Sequence, residues 1–423
     1  MRIEPRVAFF PDSFVEVNGV AHTSRRMVAF AERRKLPMLC VHGAERTERT
    51  AGCGVTRLSL RRGNFGFRLD ADFRHDLLFW RHAKLAIEAA REFKANVVHI
   101  TGPNDTGQLG AYVAHRLRLP LVISWHTNLH EYAARRLNKL AAPLPNAWRE
   151  RLSSLAERQS LRAVMRFYRL GRALLAPNEE LRDMLARGTG KPTRLMRRGV
   201  DNSLFSPTKR LRDDGAFLIG YVGRLTPEKN VRRLAELERG LIEAGASDFR
   251  FLIVGCGSER EWLERRMRRA EFTGVLRGET LARAYASLDL FVFPSQTDTF
   301  GNVVLEAQAS GVPCLVSSLG GPKYIIQSDQ TGEDKGAGAP SGIVADGPRG
   351  FLEATLDLMS QPERLNRMRE AALARAREFS WESVFEQVYQ TYEDCLLRTG
   401  DVSTGSIPSP RRVAAPDVNA ATR

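Results

Sequence analysis

Apolar and polar positions along the chain fall into two alternating rhythms: short apolar runs and longer stretches with helical spacing. Val7–Phe10 is apolar throughout and stops at Pro11-Asp12, which predicts a buried strand. After Asn18-Gly19-Val20 the spacing turns amphipathic over His22–Arg34, which predicts a helix. Met38–His42, Asn96–Thr101, Leu121–Trp125, Ala173–Pro177 and Thr193–Arg197 read as further strands, with helical patterns over Leu77–Phe93 and Ala111–Arg118. The second half repeats the rhythm. Phe217–Val222, Phe251–Val254, Glu271–Thr273, Leu288–Phe293 and Pro313–Ser317 predict strands, each followed by a helix or a loop into one. Strands separated by helices of this length predict parallel sheets, hence an α/β fold of two doubly wound domains. The polar, proline-containing stretch 201–214 marks the seam, giving domains 1–208 and 209–380. Helical spacing continues over 349–378, and Ser380-Trp381-Glu382 opens a last helix, 381–399. The Ser/Pro/Ala/Arg-rich tail 400–423 has the composition of a disordered segment.

With 423 residues, 43% hydrophobic and 27% charged, the chain has apolar material for two cores. No apolar run reaches the ~18 residues of a membrane span. The opening MRIEPRVAFF enters a strand pattern without a signal-peptide hydrophobic region. Cys40, Cys53, Cys256, Cys314 and Cys395 form no CxxC pair and no His-Cys ligand spacing. They read as reduced thiols, no metal is expected, and the expected location is the cytoplasm. The formal net charge of +15 asks for an anionic partner: nucleic acid, a lipid surface or a polyanionic small molecule. Zinc-finger, RRM and basic-aromatic patterns are missing, so nucleic acid is not expected. Region 131–172 carries ten basic against three acidic residues, with Trp148, Phe167 and Tyr168 interleaved. It reads either as helices whose arginines cover apolar surface, or as a face lying on an anionic membrane.

The richest stretch chemically is PSQTDTFGNVVLEAQASGVP, 294–313. A strand end feeding a helix N-terminus presents free N–H groups outward, where doubly wound sheets bind ligands. Gly301 lets a ligand approach the backbone, and Glu306, about one turn in, leans back toward the same place. Asp298 sits eight positions before Glu306. Two carboxylates there suit hydroxyl donors such as a ribose and a sugar ring. The plainer reading is an exposed loop Asp and a helix Glu paired with an arginine.

GRLTPEKN, 223–230, follows a strand with Thr226 as expected N-cap and Pro227 at the first helical position. Lys229 then falls in a first turn, where the dipole disfavours a cation unless an anion is shared. Arg224 and Lys229 therefore read as a phosphate clamp, against a plainer pairing of Lys229 with Glu228 or Glu236. Glycine turns at Asn18-Gly19 and at VGCGS, containing Gly255, fall on predicted strand ends; each alone is a weak signal. His126, in SWHTN, follows a strand end and has the most site-like context of the eight histidines. His22 and His130 are its rivals, and a structural hydrogen bond is its plainer role.

Taken together, D-x7-E within TDTFGNVVLEA, the following SGVP, GYVGRLTPEKN, FLIVGCG, RRGVDNSLFSP and the N-terminal NGV loop resemble the retaining family-four glycosyltransferases of GT-B fold. The resemblance runs from Val7 to about Leu397 and is closest to bacterial enzymes, GDP-mannose-dependent or related, acting on lipid-linked acceptors. It implies two Rossmann-like domains facing across a cleft, with helix 381–399 returning to the first. Arg224 and Lys229 would neutralise a donor diphosphate, Glu306 would hold the ribose, and Asp298 would hold hydroxyls of the transferred sugar. Thr299, Phe300, Gly301, Asn302 and Val303 would present backbone N–H groups, Gly19 would let its loop approach the diphosphate, and Gly255 would be a donor-binding residue. Leu276 and Arg277 would lie near the base, and His126 would contact the sugar or acceptor near the reacting carbon. The implied donor is a nucleotide-diphosphate sugar, GDP-mannose before a UDP-sugar, used without a metal or other cofactor. Asp at 298, Lys323 and the glycine-rich insert 331–342 depart from the common pattern.

Two other classes share these features. A nucleotide-sugar epimerase or phosphorylase uses the same scaffold, and a non-enzymatic binder of anionic lipid or nucleic acid would account for the charge.

Overall fold

The computed structural model describes residues 3–16, 18–63, 65–70, 73–126, 146–211, 215–326 and 339–400. Thr127, Asn128, His130, residues 131–145 of the basic region, 331–338 of the glycine-rich insert and the tail beyond 400 lie outside them.

The strands are β1 (Val7–Phe10), β2 (Met38–Ala44), β3 (Glu48–Gly52), β4 (Val55–Arg61), β5 (Gly66–Asp70), β6 (Phe73–Asp76), β7 (Val97–Ile100), β8 (Leu121–Ser124), β9 (Ala173–Ala176) and β10 (Thr193–Leu195), then β11 (Phe217–Val222), β12 (Phe249–Val254), β13 (Ala270–Gly274), β14 (Leu290–Phe293), β15 (Cys314–Ser317) and β16 (Gly342–Ala345). The helices are α1 (Gly19–Arg33), α2 (Ala83–Glu92), α3 (Asp105–Leu117), α4 (Asn146–Tyr168), α5 (Glu179–Thr189), α6 (Arg232–Glu243), α7 (Arg260–Glu264), α8 (Gly278–Ala286), α9 (Asn302–Ala309), α10 (Gly347–Ser360), α11 (Pro362–Arg377) and α12 (Trp381–Gly400).

Among the described residues the first sheet runs β10-β9-β8-β7-β1-β2-β4-β3 and the second β13-β12-β11-β14-β15-β16. All pairings are parallel except β3 with β4 at one edge; β5 and β6 form a separate antiparallel hairpin. The central strands are buried on both faces, which is why they read as unbroken apolar runs rather than alternating ones. In each sheet the strand order reverses once, between β1 and β7 and between β11 and β14. Adjacent loops leave in opposite directions at such a reversal and open a crevice at the strands' carboxyl ends.

Three predicted elements come out differently. Leu77–Phe93 is a 3-10 turn, Phe79–His82, followed by α2. The helix expected over 349–378 divides into α10 and α11 at Pro362, whose missing N–H cannot continue the ladder. The helix expected to open at Pro227 is a single 3-10 turn, Pro227–Lys229, ending with Asn230 at φ 54°, and α6 begins only at Arg232.

The chain crosses between the domains twice, side by side. Val200 bridges Ser380, with Val200 N donating to Phe379 O at 3.1 Å. Past this point α12 lies on the first domain. Trp381, Phe385, Val388, Tyr389 and Tyr392 share one core with Val7, Phe9, Val97, Met27 and Phe30. In the described part of the basic region, Leu161, Val164, Met165, Phe167 and Tyr168 of α4 lie against the other face of that sheet.

Candidate active site

The second domain's crevice is built from three loops locked to one another. Gly255, at φ 140°, lies so close to the first loop that a Cβ there would come within 1.9 Å of Gly223 O. Leu225 N donates to Cys256 O at 2.8 Å, and Tyr221 OH to Arg224 O at 2.9 Å. Thr297 Oγ1 donates to Glu228 O at 3.2 Å, which ties the clamp loop to the acidic loop after β14. Gly255 is thus required by backbone packing, whatever it offers a ligand. Thr226 does not cap a helix; its hydroxyl donates to Glu228 Oε1 at 2.6 Å.

Lys229 Nζ reaches both oxygens of Asp298, at 2.6 and 2.8 Å. Burial would raise the Asp298 carboxyl, but Lys229, and more weakly Arg224, hold it below the ordinary carboxylate value. Lys229 therefore pairs with neither Glu228 nor Glu236. Arg224, half exposed, lies 3.6 Å from Glu228 Oε1.

Gly301 opens α9 at φ 98°, a conformation open to glycine, and its neighbour across the turn is Pro322. Behind it, Gly321 N donates to Asp298 O at 2.7 Å, and a Cβ on Gly321 would strike Thr299 O. Gly320-Gly321 thus shape the acidic loop from outside the D-x7-E stretch. The first amides of α9, Asn302 and Val303, have no intrahelical acceptor. The Phe300 ring is buried against Phe379. One turn into α9, Glu306 Oε2 accepts from Tyr285 OH at 2.9 Å. Burial pushes Glu306 up to about 7, against the opposing pull of the Tyr285 hydroxyl and of Arg26 from the first domain.

The first domain meets this loop directly. Thr299 Oγ1 donates to His126 O at 3.0 Å, and Asn178 Nδ2 donates to Thr299 O at 2.8 Å. Asn178 also caps α5, accepting from Leu181 N at 2.9 Å. Its sequence signal was that of any helix cap before an acidic first turn, so its reach across the crevice was not legible. Gly19 is the first residue of α1, and a Cβ built there would meet only Asn302 Nδ2, at 3.8 Å.

His126 sits at the crevice with its ring turned inward. Nδ1 faces Arg198 Nη2 at 3.0 Å and Nε2 faces Ser124 Oγ at 2.8 Å. Arginine only donates, so Nδ1 accepts and Nε2 carries the proton. Burial, then Arg198 and His99, hold the ring well below the ordinary imidazole range, so it is neutral. In this arrangement both ring nitrogens are committed inside the protein, and the group His126 offers the acidic loop is its carbonyl. Leu276 stands just past the end of β13. It lines an open depression of about 810 Å³ along the outer edge strand β13, which none of Arg224, Lys229, Asp298 or Glu306 borders.

Opposite, at the reversal between β1 and β7, lies a cluster that the sequence patterns did not single out. Asp12 Oδ1 accepts from Gly107 N at 3.0 Å and Oδ2 from Asn104 Nδ2 at 3.2 Å. Arg62 joins Glu16 at 2.7 Å and Asp105 at 3.3 Å. Burial, with Asp105 nearby, pushes Asp12 up to about 7.

Among the described residues no helix is long and apolar enough to cross a membrane. A model of group 1 glycosyl transferases matches residues 216–361, and a model of glycosyltransferase family 4 matches residues 17–204. A GDP-mannose-dependent alpha-mannosyltransferase of Mycobacterium tuberculosis is 36% identical over 254 residues, covering 58% of this chain and 61% of that protein. The chain thus spans about three fifths of that relative. A protein of the same name from Corynebacterium glutamicum is 32% identical over 319 residues, covering 72% of this chain and 69% of its own length. Sucrose-phosphate synthase from Thermosynechococcus elongatus superposes with a TM-score of 0.69 at 16% identity, over 94% of this chain and all of that one, which speaks for the fold alone. Two parallel-sheet domains meeting at their strand ends, matched in both halves by these models, make the chain a GT-B protein that belongs to the group 1 and family-four glycosyltransferases.

Proposed function

We propose that the chain moves a hexose, mannose first, from a nucleotide-diphosphate sugar to a hydroxyl of a membrane glycolipid or lipid-linked glycan, with the anomeric configuration retained. The observation that carries this reading is the Lys229–Asp298 pair in the loop that leads into the N-terminus of α9, with Glu306 one turn into that helix. GDP-mannose is the preferred donor because the relatives just described are named for it, and a UDP-sugar is second.

The leaving group is a diphosphate, so the main task is to stabilise charge as the C1–O bond lengthens. Lys229, Arg224 and the amides of Asn302 and Val303 supply positive potential, and no metal enters the scheme. Asp298 serves two groups: it holds Lys229 in place and accepts from hydroxyls of the sugar. Glu306 accepts from the ribose. The acceptor oxygen bonds C1 on the face the phosphate leaves, and its proton passes to the departing phosphate oxygen. The Gly19 loop, facing Asn302, and the carbonyl of His126 close the crevice and exclude water.

The test is a thermal-shift panel of GDP, UDP and ADP sugars, since a donor binding only the native state raises its stability. GDP-mannose should give the largest shift, and Lys229→Ala should abolish both shift and transfer while the unliganded protein stays folded, melting lower because Asp298 has lost its partner. Transfer should persist in excess EDTA. Stabilisation by no nucleotide sugar sinks the donor reading, and turnover lost to EDTA sinks its metal-free part.

A further inference from the structure

Five polar side chains form an unbroken chain through the first domain. Tyr392 of α12, His99 of β7, Ser124 of β8, His126 and Arg198 are each at most 8% exposed. Tyr392 OH lies 2.6 Å from His99 Nδ1, and His99 Nε2 lies 3.0 Å from Ser124 Oγ. Ser124 Oγ in turn meets His126 Nε2 at 2.8 Å, and His126 Nδ1 meets Arg198 Nη2 at 3.0 Å. The two ends fix every proton between them. Arg198 only donates, so His126 Nδ1 accepts and its Nε2–H points at Ser124. Among the described residues the Tyr392 hydroxyl has His99 Nδ1 as its acceptor, so His99 also turns an Nε2–H toward Ser124. Ser124 Oγ accepts from both rings and donates to Ile100 O at 3.4 Å.

Arg198 is the costly member. Burial holds its guanidinium down to about 10, and no carboxylate among the described residues opposes that. A buried charge without a counter-ion is expensive, and packing alone would favour an apolar side chain. Nη1 donates to Met196 O at 2.7 Å, a bond that a neutral donor could also make. What the guanidinium adds is a permanent donor at His126 Nδ1, which forbids a proton there. The backbone at His126 needs such an anchor. The last ladder bond of this strand is Trp125 N to Leu175 O at 2.8 Å, and His126 lies one residue beyond it. Its carbonyl is the group that accepts from Thr299 Oγ1 at 3.0 Å, while Thr299 O accepts from Asn178 Nδ2 at 2.8 Å. Thr299 directly follows Asp298, the partner of Lys229. Arg198 itself stands in the first crossing between the domains, two residues before the Val200–Phe379 bond.

We infer that Arg198 is a positioning residue for sugar transfer: it locks the His126 ring from Nδ1 and so keeps the His126 carbonyl on Thr299 of the donor loop. This rests on the transfer reading above for its purpose, though the ring lock is measurable without any sugar. Arg198 touches neither donor nor acceptor in this arrangement; its action passes through His126. The far end of the chain, Tyr392, belongs to the helix that returns from the second domain, so both crossings hold the same histidine.

Nitrogen-15 spectra of the full chain, labelled at histidine, read the tautomer directly, with His126 assigned by the signal lost in His126→Asn. The wild type should show the neutral Nε2–H form. Arg198→Met should lose it, and Arg198→Lys, which still donates to Nδ1, should keep it. In transfer assays Arg198→Met should lower kcat about tenfold or more with the donor KM within about threefold, because Lys229, Arg224 and Glu306 are untouched. Thr299→Val removes the hydroxyl that the His126 carbonyl accepts from. Its own loss should almost vanish in the Arg198→Met background, whereas independent losses multiply. Arg198→Lys should recover most of the rate. Arg198→Gln, too short to reach Nδ1, takes the place of Arg198→Met should that variant not fold. An unchanged tautomer in Arg198→Met, or a double variant whose loss is the product of the two single losses, overturns the inference. So does a rate that Arg198→Lys fails to recover while keeping the tautomer, since Arg198 then supports only the backbone carbonyls. A wild type that transfers no sugar strikes the transfer reading, and the tautomer spectra then decide the ring lock alone.

Discussion

Glu306 carries a charge decision that the donor completes. Its folded value of about 7 lies above the ordinary 4.5, so protonation stabilises the fold. That contribution is complete below the unfolded value and is lost as pH rises through about 7. Donor binding has the opposite sign, because an ionised carboxylate accepts from two ribose hydroxyls where a neutral one accepts less well. GDP affinity should therefore climb as pH rises toward about 7 and then level off, with proton release below that point. Calorimetry in buffers of different ionisation enthalpy reads both; a flat profile, or one unchanged in Glu306→Gln, removes the ribose role. The residue itself was legible as a carboxylate placed in an apolar helix run. Its partner was not, since a tyrosine from another helix took the place expected of an arginine. His126 shows the same limit more strongly. Its position at a strand end is written locally, but the direction of its ring depends on Arg198, 72 residues away.

At the scale of loops and elements, the two glycine turns look alike in sequence and differ in what fixes them. Gly255→Ala would drive a methyl into Gly223 O, at a backbone conformation only glycine adopts, and should cost about 3 kcal/mol or more. Gly19→Ala meets ordinary contact with Asn302 and should leave stability within about 1 kcal/mol of wild type. Its methyl would face Asn302 at the start of α9, so on the proposed donor reading affinity should fall while urea unfolding does not move. Equal stability losses in the two variants would deny Gly19 a ligand-facing role. The central strands could be read because burial on both faces leaves an unbroken apolar run. β3 and the hairpin β5–β6 escaped because they lie where no such run is needed. ERTAG in β3 is exposed at every position and pairs only with β4. The glycine pair at 320–321 escaped for another reason: its duty is to a loop over twenty residues earlier, and turn chemistry alone does not say which backbone a glycine must admit.

On the scale of the molecule, alternating strands and helices sufficed to show two doubly wound halves, and the strand reversals explain why the reactive groups gather where they do. Arg224 and Lys229 leave one side of the β11/β14 reversal and Asp298 the other; the Asp12 loop leaves the β1/β7 reversal opposite. A chain stopped at residue 380, which keeps Phe379 in the second domain's apolar core, should bind a dye such as ANS through the uncovered face of the first, and should lose GDP-dependent stabilisation. Native-like behaviour of that truncation would show that α12 is dispensable. The position of α12 also sets a timetable for synthesis. Domains of a nascent chain ordinarily close in the order they are made. Here Val7 and Phe9 wait for Tyr389 and Tyr392, so the half that leaves the ribosome first is finished last. Until the final helix emerges, the newborn protein carries an open seam along its oldest strands, and chaperone occupancy should be longest there.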